Sequence, residues 1–524
     1  TLEVFCSIQS AIDDAQTLDG HTLSVAAGTY NENITLNKDL TLSGVGATTI
    51  LTPSTPCSGT GILISAAGAT VQNLHVTNYN YGLAVTTSGV LIDNVESIAN
   101  CNAGINLGNG TTNLTIQNSK LNNNTSIGFR KGSADVVSGF TMVNCEVKGN
   151  KQGCFIAKNN GAGGTFDYVS ITNSDFSNNL QKGMYFEALS NAVIDGIIMN
   201  NSGTDATNAV NNGIDINLKY GAYSNITIQN SEITNCGYYG TSSNPEQASA
   251  VAIKARDDSP YSGNPATLSN VTVSNNIISG PQNGIRTGEF GKVNAGPAIT
   301  VQNNHLGAAF AYKAFINNTN SNATLECNWW GSTGYSIIDS KIIANGTGTN
   351  DYNPWLVNGT DDQLGTTGFQ PVPGSCTGTP AGSPELTTTF LIDASNFALN
   401  QSRDALYYIE NVSNNPTNSN VQIVITKPSG GLFNTSIPSI SNTADVFGGI
   451  MSNNSNWSCV DYGFFYLCTS AIPIPAMSNS KIKIVFTATG VSNSQSQTTG
   501  QLLNGTGGDQ NLNNNYTKSS LIIN

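Results

Sequence analysis

Between residues 70 and 325 apolar and polar positions alternate in short runs, and the runs recur in pairs. The first member of each pair reads LTIQN, FTMVN, VSITN, ITIQN or VTVSN. Such runs begin near Val71, Val90, Asn113, Phe140, Tyr168, Val193, Asn225, Asn270, Ile299 and Thr324, at intervals of 19, 23, 27, 28, 25, 32, 45, 29 and 25 residues. After each comes an Asn, then a glycine and a second run such as GLAV, GINL, GCFIA, GMYF, GIDI or GIRT. Alternation over four or five residues predicts half-buried strands, and the Asn or Gly before each supplies a tight corner. A period of twenty-odd residues without helical stretches predicts a β-solenoid. The near-duplicate phrases NLTIQNSKLNNN at Asn113 and NITIQNSEITNC at Asn225 are then one wall, revisited four coils later. Asn94, Asn118, Asn144, Asn173, Asn230, Asn275 and Asn303 fall at equivalent places and are expected to turn the chain and to stack as an amide ladder at ~4.8 Å spacing.

The opening CSIQSAIDDAQTLDGHTLSVAAGTYNENITLNKDLTLSGVG resembles the first coil of right-handed parallel β-helix proteins of the pectin-lyase-like superfamily. Ser7 would cap a short amphipathic helix with Ile8, Ala11, Ile12 and Ala15 on one side, sealing the open end of the stack. ECNWWGST, DYNPWLVNGTDD and TTGFQP resemble the closing segment of secreted bacterial β-helix proteins, with Trp329, Trp330 and Trp355 covering the last coil. This likeness spans about two-thirds of the chain and implies eleven or twelve coils over residues 1–364. It leaves function open, because the superfamily holds lyases, hydrolases, esterases, adhesins and phage spikes.

The stretch 365–385, GTTGFQPVPGSCTGTPAGSPE, reads as a linker. Beyond it, at 386–524, the spacing changes to strands every ten to twenty residues, which predicts an immunoglobulin-like β-sandwich. That stretch also resembles the repeat-type Ig-like domains of bacterial surface proteins, including NNNY before the last strand. The fold class expected is therefore all-β, a right-handed parallel β-helix followed by an Ig-like sandwich.

Composition narrows the setting. Only 10% of residues are charged, and 20 basic against 33 acidic residues leave a net charge of −13. That balance argues against a nucleic-acid partner. No run of 18 apolar residues predicts a membrane span. A start at Thr1 without Met or leader fits a secreted protein after processing. Ten cysteines without metal-ligand spacing favour an oxidising, extracellular location, secreted or on the cell surface. Cys459 and Cys468 are spaced for a disulfide within a hairpin, and Cys327 and Cys376 bracket a Gly/Pro-rich stretch they could pin. For Cys101, Cys145 and Cys154 free buried thiols are the alternative. Nineteen Asn-x-Ser/Thr sequons, among them Asn113, Asn225, Asn270, Asn411 and Asn515, are close to what this composition supplies by chance.

Alternation on the second runs places Asn106, Arg130, Lys158, Tyr185, Glu187, Asp215, Asn217, Lys254 and Arg286 outward. Asp257, Asp258 and Glu289 lie beside them. If the protein is an enzyme, Asp257, Asp258, Arg286 and Glu187 are the catalytic candidates, for glycoside hydrolysis or for elimination on an acidic sugar with Ca2+ as the cation. Tyr185, Asp215 and Lys254 are candidates for glycan binding. Against catalysis stand three absences: no Asn-Thr-Asp phrase, no His-Gly phrase, and no close Asp cluster with Arg of the pectate-lyase kind. His21, His75 and His305 sit in no recognisable catalytic motif. No resident cofactor or metal is expected. The reading favoured by sequence is an extracellular structural or adhesive surface protein, a homopolymer built head to tail by end stacking or by strand addition through TLEVF or SSLII. The alternatives are a polysaccharide lyase or hydrolase, or a non-catalytic glycan-binding protein.

Overall fold

The computed structural model describes residues 3–161, 163–379, 383–438, 450–511 and 513–524. Two compact units emerge, Thr1–Gly378 and Thr379–Asn524. In the first, the paired runs become two long parallel sheets of fifteen and twelve strands. The first sheet takes strands such as Thr70–Thr77, Thr111–Gln117, Phe166–Thr172 and Gly221–Gln229. The second runs from Ile34–Leu36 to Ile342–Ala344, one strand per turn of chain. A third sheet of three short strands, Ile198–Asn200, Glu232–Thr234 and Ile277–Ile278, was not anticipated as a separate wall.

Register explains why the coils stack. Leu114 pairs with Phe140, then Val169, Ala192, Ile226, Val271 and Ile299. In the second sheet Ile105, Phe129, Cys154, Met184, Ile214 and Val251 form the facing column. Both columns are buried in one core. Each inward side chain lies over its counterpart one coil away, so the core is a set of like-on-like stacks; Phe129 and Phe140 add ring contact at 5.3 Å. Cys154 serves as a small apolar side chain there, its thiol pKa pushed up by burial.

The asparagines divide into two sets, which corrects the expected ladder. Asn118, Asn144, Asn173, Asn230, Asn275 and Asn303 hold φ between 48° and 59°, the left-handed conformation that turns the chain. Asn118 and Asn230 donate to Asp93 and Asp195 of the preceding coil, each at 2.9 Å. The continuous ladder is another column: Asn100, Asn124, Asn150 and Asn179 pass Nδ2–H to Oδ1 up the stack at 3.0, 3.2 and 3.1 Å. Asn276, Asn304 and Asn328 repeat it at 2.9 and 3.0 Å. These amides are buried, so each must find a partner inside, and the next coil's identical amide supplies one.

The first-coil helix is Ile8–Asp13, with Ser7 Oγ accepting from the Ser10 N–H. Ile8, Ala11 and Ile12 are buried, whereas Ala15 lies past the helix and is exposed. Glu32 holds the helix start: its carboxylate accepts from Ser7 Oγ and from the Ile8 and Gln9 N–H groups. Disulfides join Cys57–Cys101, Cys327–Cys376 and Cys459–Cys468; Cys145, Cys154 and Cys236 are buried free thiols and Cys6 is an exposed one.

The stretch expected as linker belongs in large part to the first unit. Phe369 is buried and its N–H donates to Asn275 O at 2.8 Å. Strand Cys376–Gly378 pairs antiparallel with Trp355–Leu356. Trp330 and Trp355 are fully buried at this end, and Tyr335 and Tyr352 stack on Trp355. An aromatic and a disulfide thus turn a Pro/Gly-rich text into a strap; residues 380–382 of the expected linker lie outside the described residues.

The second unit, expected over 386–524, carries two largely antiparallel sheets. One has the order Leu386–Ile392, Ser402–Asn411, Ser478–Ala488, Phe433–Ser436. The other has the order Asn396–Phe397, Tyr516–Ile523, Ser494–Leu502, Val421–Thr426, Phe465–Ser470, Ser458–Asp461. Inward residues of both share one core, among them Tyr407, Ile423, Ile484 and Leu521, and Tyr407 OH meets Thr498 Oγ1 at 2.6 Å. Residues 439–449 and 512 lie outside the described residues.

Candidate functional site

The outward column of the second sheet is Asn106, Arg130, Phe155, Tyr185, Asp215, Ala252 and Arg286, paired in register. Asn217 and Lys254 form the next outward pair. Alternation therefore assigned these side chains to the correct face. That face is not open, however. Tyr185 is 9% exposed, Lys254 2%, and Asp215 and Arg286 0%.

The covering comes from loops lengthened where the repeat interval is longest. Glu246, in the segment between Asn225 and Asn270, accepts from Asn318 Nδ2 and Asn345 Nδ2 at 2.9 Å each and from the Gly291 N–H at 3.1 Å. Pro245 O and Ala248 O take the Asn283 amide at 2.7 Å. Gln247 O and Gly288 O take the Arg286 guanidinium. The 45-residue interval was the signal in the sequence that something sits over this wall.

Beneath lies a connected set of charges. Asp215 accepts from Lys182 at 2.5 Å and ion-pairs with Lys254 at 2.9 Å. Lys254 reaches Glu289 at 3.2 Å, Glu289 meets Arg256 at 3.3 Å, and Arg256 grips Asp258 with Nε and Nη2, both at 2.7 Å. Lys182 Nζ also stands 3.9 Å from the Tyr185 ring centre, and that ring stacks on Phe155 at 5.3 Å. Burial pushes the Asp215 carboxyl up, but Lys182 and Lys254 outweigh it and hold the group below the usual carboxylate range. Asp258 is likewise held low: burial opposes, and the Arg256 fork prevails. Burial raises the Tyr185 phenol, with Glu187 beside it adding to the shift.

The four catalytic candidates are all engaged internally. Asp257 accepts from Asn294 Nδ2 at 2.5 Å and the Ala295 N–H at 2.7 Å. Asp258 is held by Arg256. Glu187 accepts from Tyr185 OH at 2.9 Å, the Lys158 N–H at 2.8 Å and Lys219 Nζ. Arg286 is sealed in. A general acid or base must reach a substrate proton within hydrogen-bond range, and these groups spend that range on one another. The glycan candidates Tyr185, Asp215 and Lys254 are corrected on the same ground, since a sugar ring cannot stack on a ring already covered.

Sequence reasoning missed Lys182, Lys219, Arg256 and Asn294. Lys182 shares parity with the inward Met184 and Phe186, so alternation hid it. Arg256 follows directly on strand Ser249–Ala255, where the period ends. Lys131, in the inward column, is fully buried; its Nζ donates to Gly132 O at 2.7 Å and Asp135 O at 2.8 Å, and burial lowers its pKa to about 8. Of the sequon candidates, Asn113, Asn225 and Asn270 are exposed. Asn411 and Asn515 are buried, their amides donating to Ile474 O and Asn511 O, and are corrected as acceptor sites. Among the described residues no group of three or more His, Cys, Asp or Glu is placed to hold a metal, and no helix is long and apolar enough to cross a membrane.

A second, more open feature lies on another face. A polar hollow of about 430 Å³ is lined by Asn122, Asn123, Lys148, Asp175, Ser177 and Asn200. Lys148 pairs there with Glu146 at 2.9 Å and Asp175 at 3.2 Å.

Residues 30–167 match the family described as "Right handed beta helix region". With the parallel sheets described above, this supports a β-helix, the right-handed match covering residues 30–167. A stretch of 50 residues is 48% identical to a cell surface glycoprotein of Methanothermus fervidus, covering 10% of this chain and 8% of that protein. Among solved structures, the chain is similar to the pectate lyase Pel9A, at 18% identity over 62% of this chain and 74% of that one, TM-score 0.34. It is also similar to the A-module of the Azotobacter vinelandii mannuronan C-5 epimerase AlgE6, at 16% identity over 68% and 95%, TM-score 0.39. Tailspike protein 2 of Escherichia coli O157:H7 bacteriophage CAB120 follows at 13% identity over 96% and 64%, TM-score 0.38. These identities and scores are too low to carry an argument about activity.

Proposed function

We propose that this is an extracellular structural protein of the cell surface, in which the β-helix serves as a stiff stacked element rather than an enzyme scaffold. One observation carries this reading. The polar wall where a β-helix enzyme would work is covered, and its carboxylates are saturated by Lys182, Lys254, Arg256, Asn294 and Tyr185. The short identity to a cell surface glycoprotein and the three disulfides support the same setting. Incubation with acidic and neutral polysaccharides is expected to release neither reducing ends nor unsaturated products. Turnover that disappears in Asp258→Ala would overturn the reading.

Within it, the second unit acts as an Ig-like module, and copies assemble head to tail. SSLII is paired along its length with Ser494–Leu502, and Ile522 and Ile523 also pair with Asn396–Phe397, so it is already committed within its own sheet. TLEVF remains: residues 1 and 2 lie outside the described residues, Glu3–Phe5 make no strand, and Val4 is 89% exposed. Edge strand Leu386–Ile392 is an acceptor of suitable length. Electron microscopy of the purified chain tests this; monodisperse monomers at every concentration would refute it.

Non-catalytic glycan binding is favoured by a separate observation, the amide-lined hollow around Lys148. Binding on a glycan array that is lost in Lys148→Ala would support it, and an unchanged array would exclude this hollow.

A further inference from the structure

Lys182 and Asn212 open neighbouring strands of the second sheet and stand directly opposite each other in its register. Asp215, further along the second of these strands, brings their side chains together. Its Oδ2 accepts from Lys182 Nζ at 2.5 Å and from Asn212 Nδ2 at 3.1 Å, so an amine and an amide nitrogen meet on one carboxylate oxygen. The other end of the amide is held as well, because Asn212 Oδ1 accepts from the Ser249 N–H at 2.9 Å. Asn212, Asp215 and Ser249 are fully buried, and Lys182 is nearly so.

Each group has the place that amide transfer requires. An amine attacks a carbonyl carbon only after losing its proton, and a buried amine gives its proton up more readily. Burial lowers the Lys182 pKa and Lys254 adds to the shift, while Asp215 opposes it. The carbonyl oxygen needs a donor as charge develops on it, and the Ser249 N–H is already there. The leaving nitrogen needs a proton, and it is bonded to the same carboxylate oxygen as the amine. Proximity of this kind replaces a bimolecular encounter by a step within one folded chain.

We propose that Lys182 and Asn212 join as a side-chain amide, a covalent rung between adjacent coils of the β-helix. Lys182 Nζ bonds to Asn212 Cγ, the Cγ–Nδ2 bond breaks, and Nδ2 departs as an ammonium ion. Asp215 carries the two protons from Nζ to Nδ2 in turn and ends as the carboxylate it began as. No oxidant or cofactor takes part. Before the bond forms, Lys182 is the ion-pair partner of Asp215 described above; afterwards Lys254 keeps that role.

A more open wall carries the same three groups in contact with water. Glu146 Oε2 accepts from Lys148 Nζ at 2.9 Å and from Asn122 Nδ2 at 3.2 Å, and Asn122 Oδ1 takes the Lys148 N–H at 2.8 Å. There the Lys148 side chain is 32% exposed and the Glu146 hydrogen bond raises its pKa, so the amine keeps its proton. The bond is therefore expected at the buried triad and not at the open one.

The test is peptide mass spectrometry on the full chain, incubated at neutral pH, then denatured, reduced and digested with trypsin. The expected product is fragment 159–219, uncut at Lys182 and lighter by one ammonia, with Lys148 cut as usual. A further cut after Glu187 should leave the two halves of that fragment joined. Asp215→Asn, shown to be folded by near-UV circular dichroism, is expected at full sequence mass and cut at Lys182. Cutting at Lys182 in the wild type would overturn the proposal. So would halves that separate after the cut at Glu187, the result if Asn212 had lost ammonia by closing on the Gly213 nitrogen. The joined fragment in Asp215→Asn would overturn it too. If that variant does not fold, the wild-type fragment decides by itself.

Discussion

Replacing Asp215 by Ala separates a structural wall from a working one. The carboxylate is fully buried between Lys182 at 2.5 Å and Lys254 at 2.9 Å. At an effective dielectric of about 20, each contact is worth roughly 6 kcal/mol of attraction, most of it offset by the desolvation of three ions. The net value of such an arrangement is modest, but removing one member leaves two buried ammonium groups facing each other, which costs about 3–5 kcal/mol. The half-buried surface pair Lys120–Glu96, at 2.9 Å, is the contrast: Lys120→Ala should cost under about 1 kcal/mol. Hydrogen exchange followed by mass spectrometry reads both, because the loss should appear in strands Lys182–Phe186, Asn212–Leu218 and Ser249–Ala255. The folded pKa of Asp215 lies below its unfolded value of ~3.9. Its contribution is therefore complete above that pH and lost as pH falls through the folded pKa, so wild type and variant should converge in acid. A cost below about 1 kcal/mol, or a polysaccharide ligand lost in Asp215→Ala at unchanged exchange, would refute the structural reading of this wall.

Asn124→Ala breaks the amide ladder and strands the Asn100 N–H, at an expected 2–4 kcal/mol in chemical unfolding, whereas Asn118→Gly at a left-handed corner should be near neutral. Lys131, fully buried near Asp135, Lys158 and Glu187 and lowered to about 8, is held charged at a cost below that pH. Stability should rise by up to about 3 kcal/mol between pH 8 and 10.5, as the folded chain sheds a proton the unfolded chain keeps, and Lys131→Met should abolish that rise. Expressed in a host that glycosylates sequons, the chain should carry glycans at the exposed Asn113, Asn225 and Asn270 and not at the buried Asn411 or Asn515, which peptide mass spectrometry would show.

The stacking of this chain was legible because a strand's period of two and a coil's period of twenty-odd residues both write themselves into sequence. Val71, Phe140 and Ile299 could be assigned to one wall by counting alone. What counting could not deliver was the partner of a polar residue across coils. Asn118 and Asn124 look alike in the text, and only the fold shows that one turns at the surface while the other is enclosed. The same holds for the outward wall. Parity placed Asp215 and Arg286 correctly, but their burial depends on Glu246 and Gln247, whose loop has no period to read.

The Cys327–Cys376 bond has a mechanical consequence. If the second unit is pulled away from the first, tension entering at Thr379 passes through Cys376 straight to Cys327, bypassing the chain between two cysteines 49 positions apart. The last coil, the Trp355 end and the Phe369 strap then lie off the force path, and about 170 Å of contour that would otherwise pay out stays hidden. Reduction of that one bond would put those residues back on the force path and let them pay out under load.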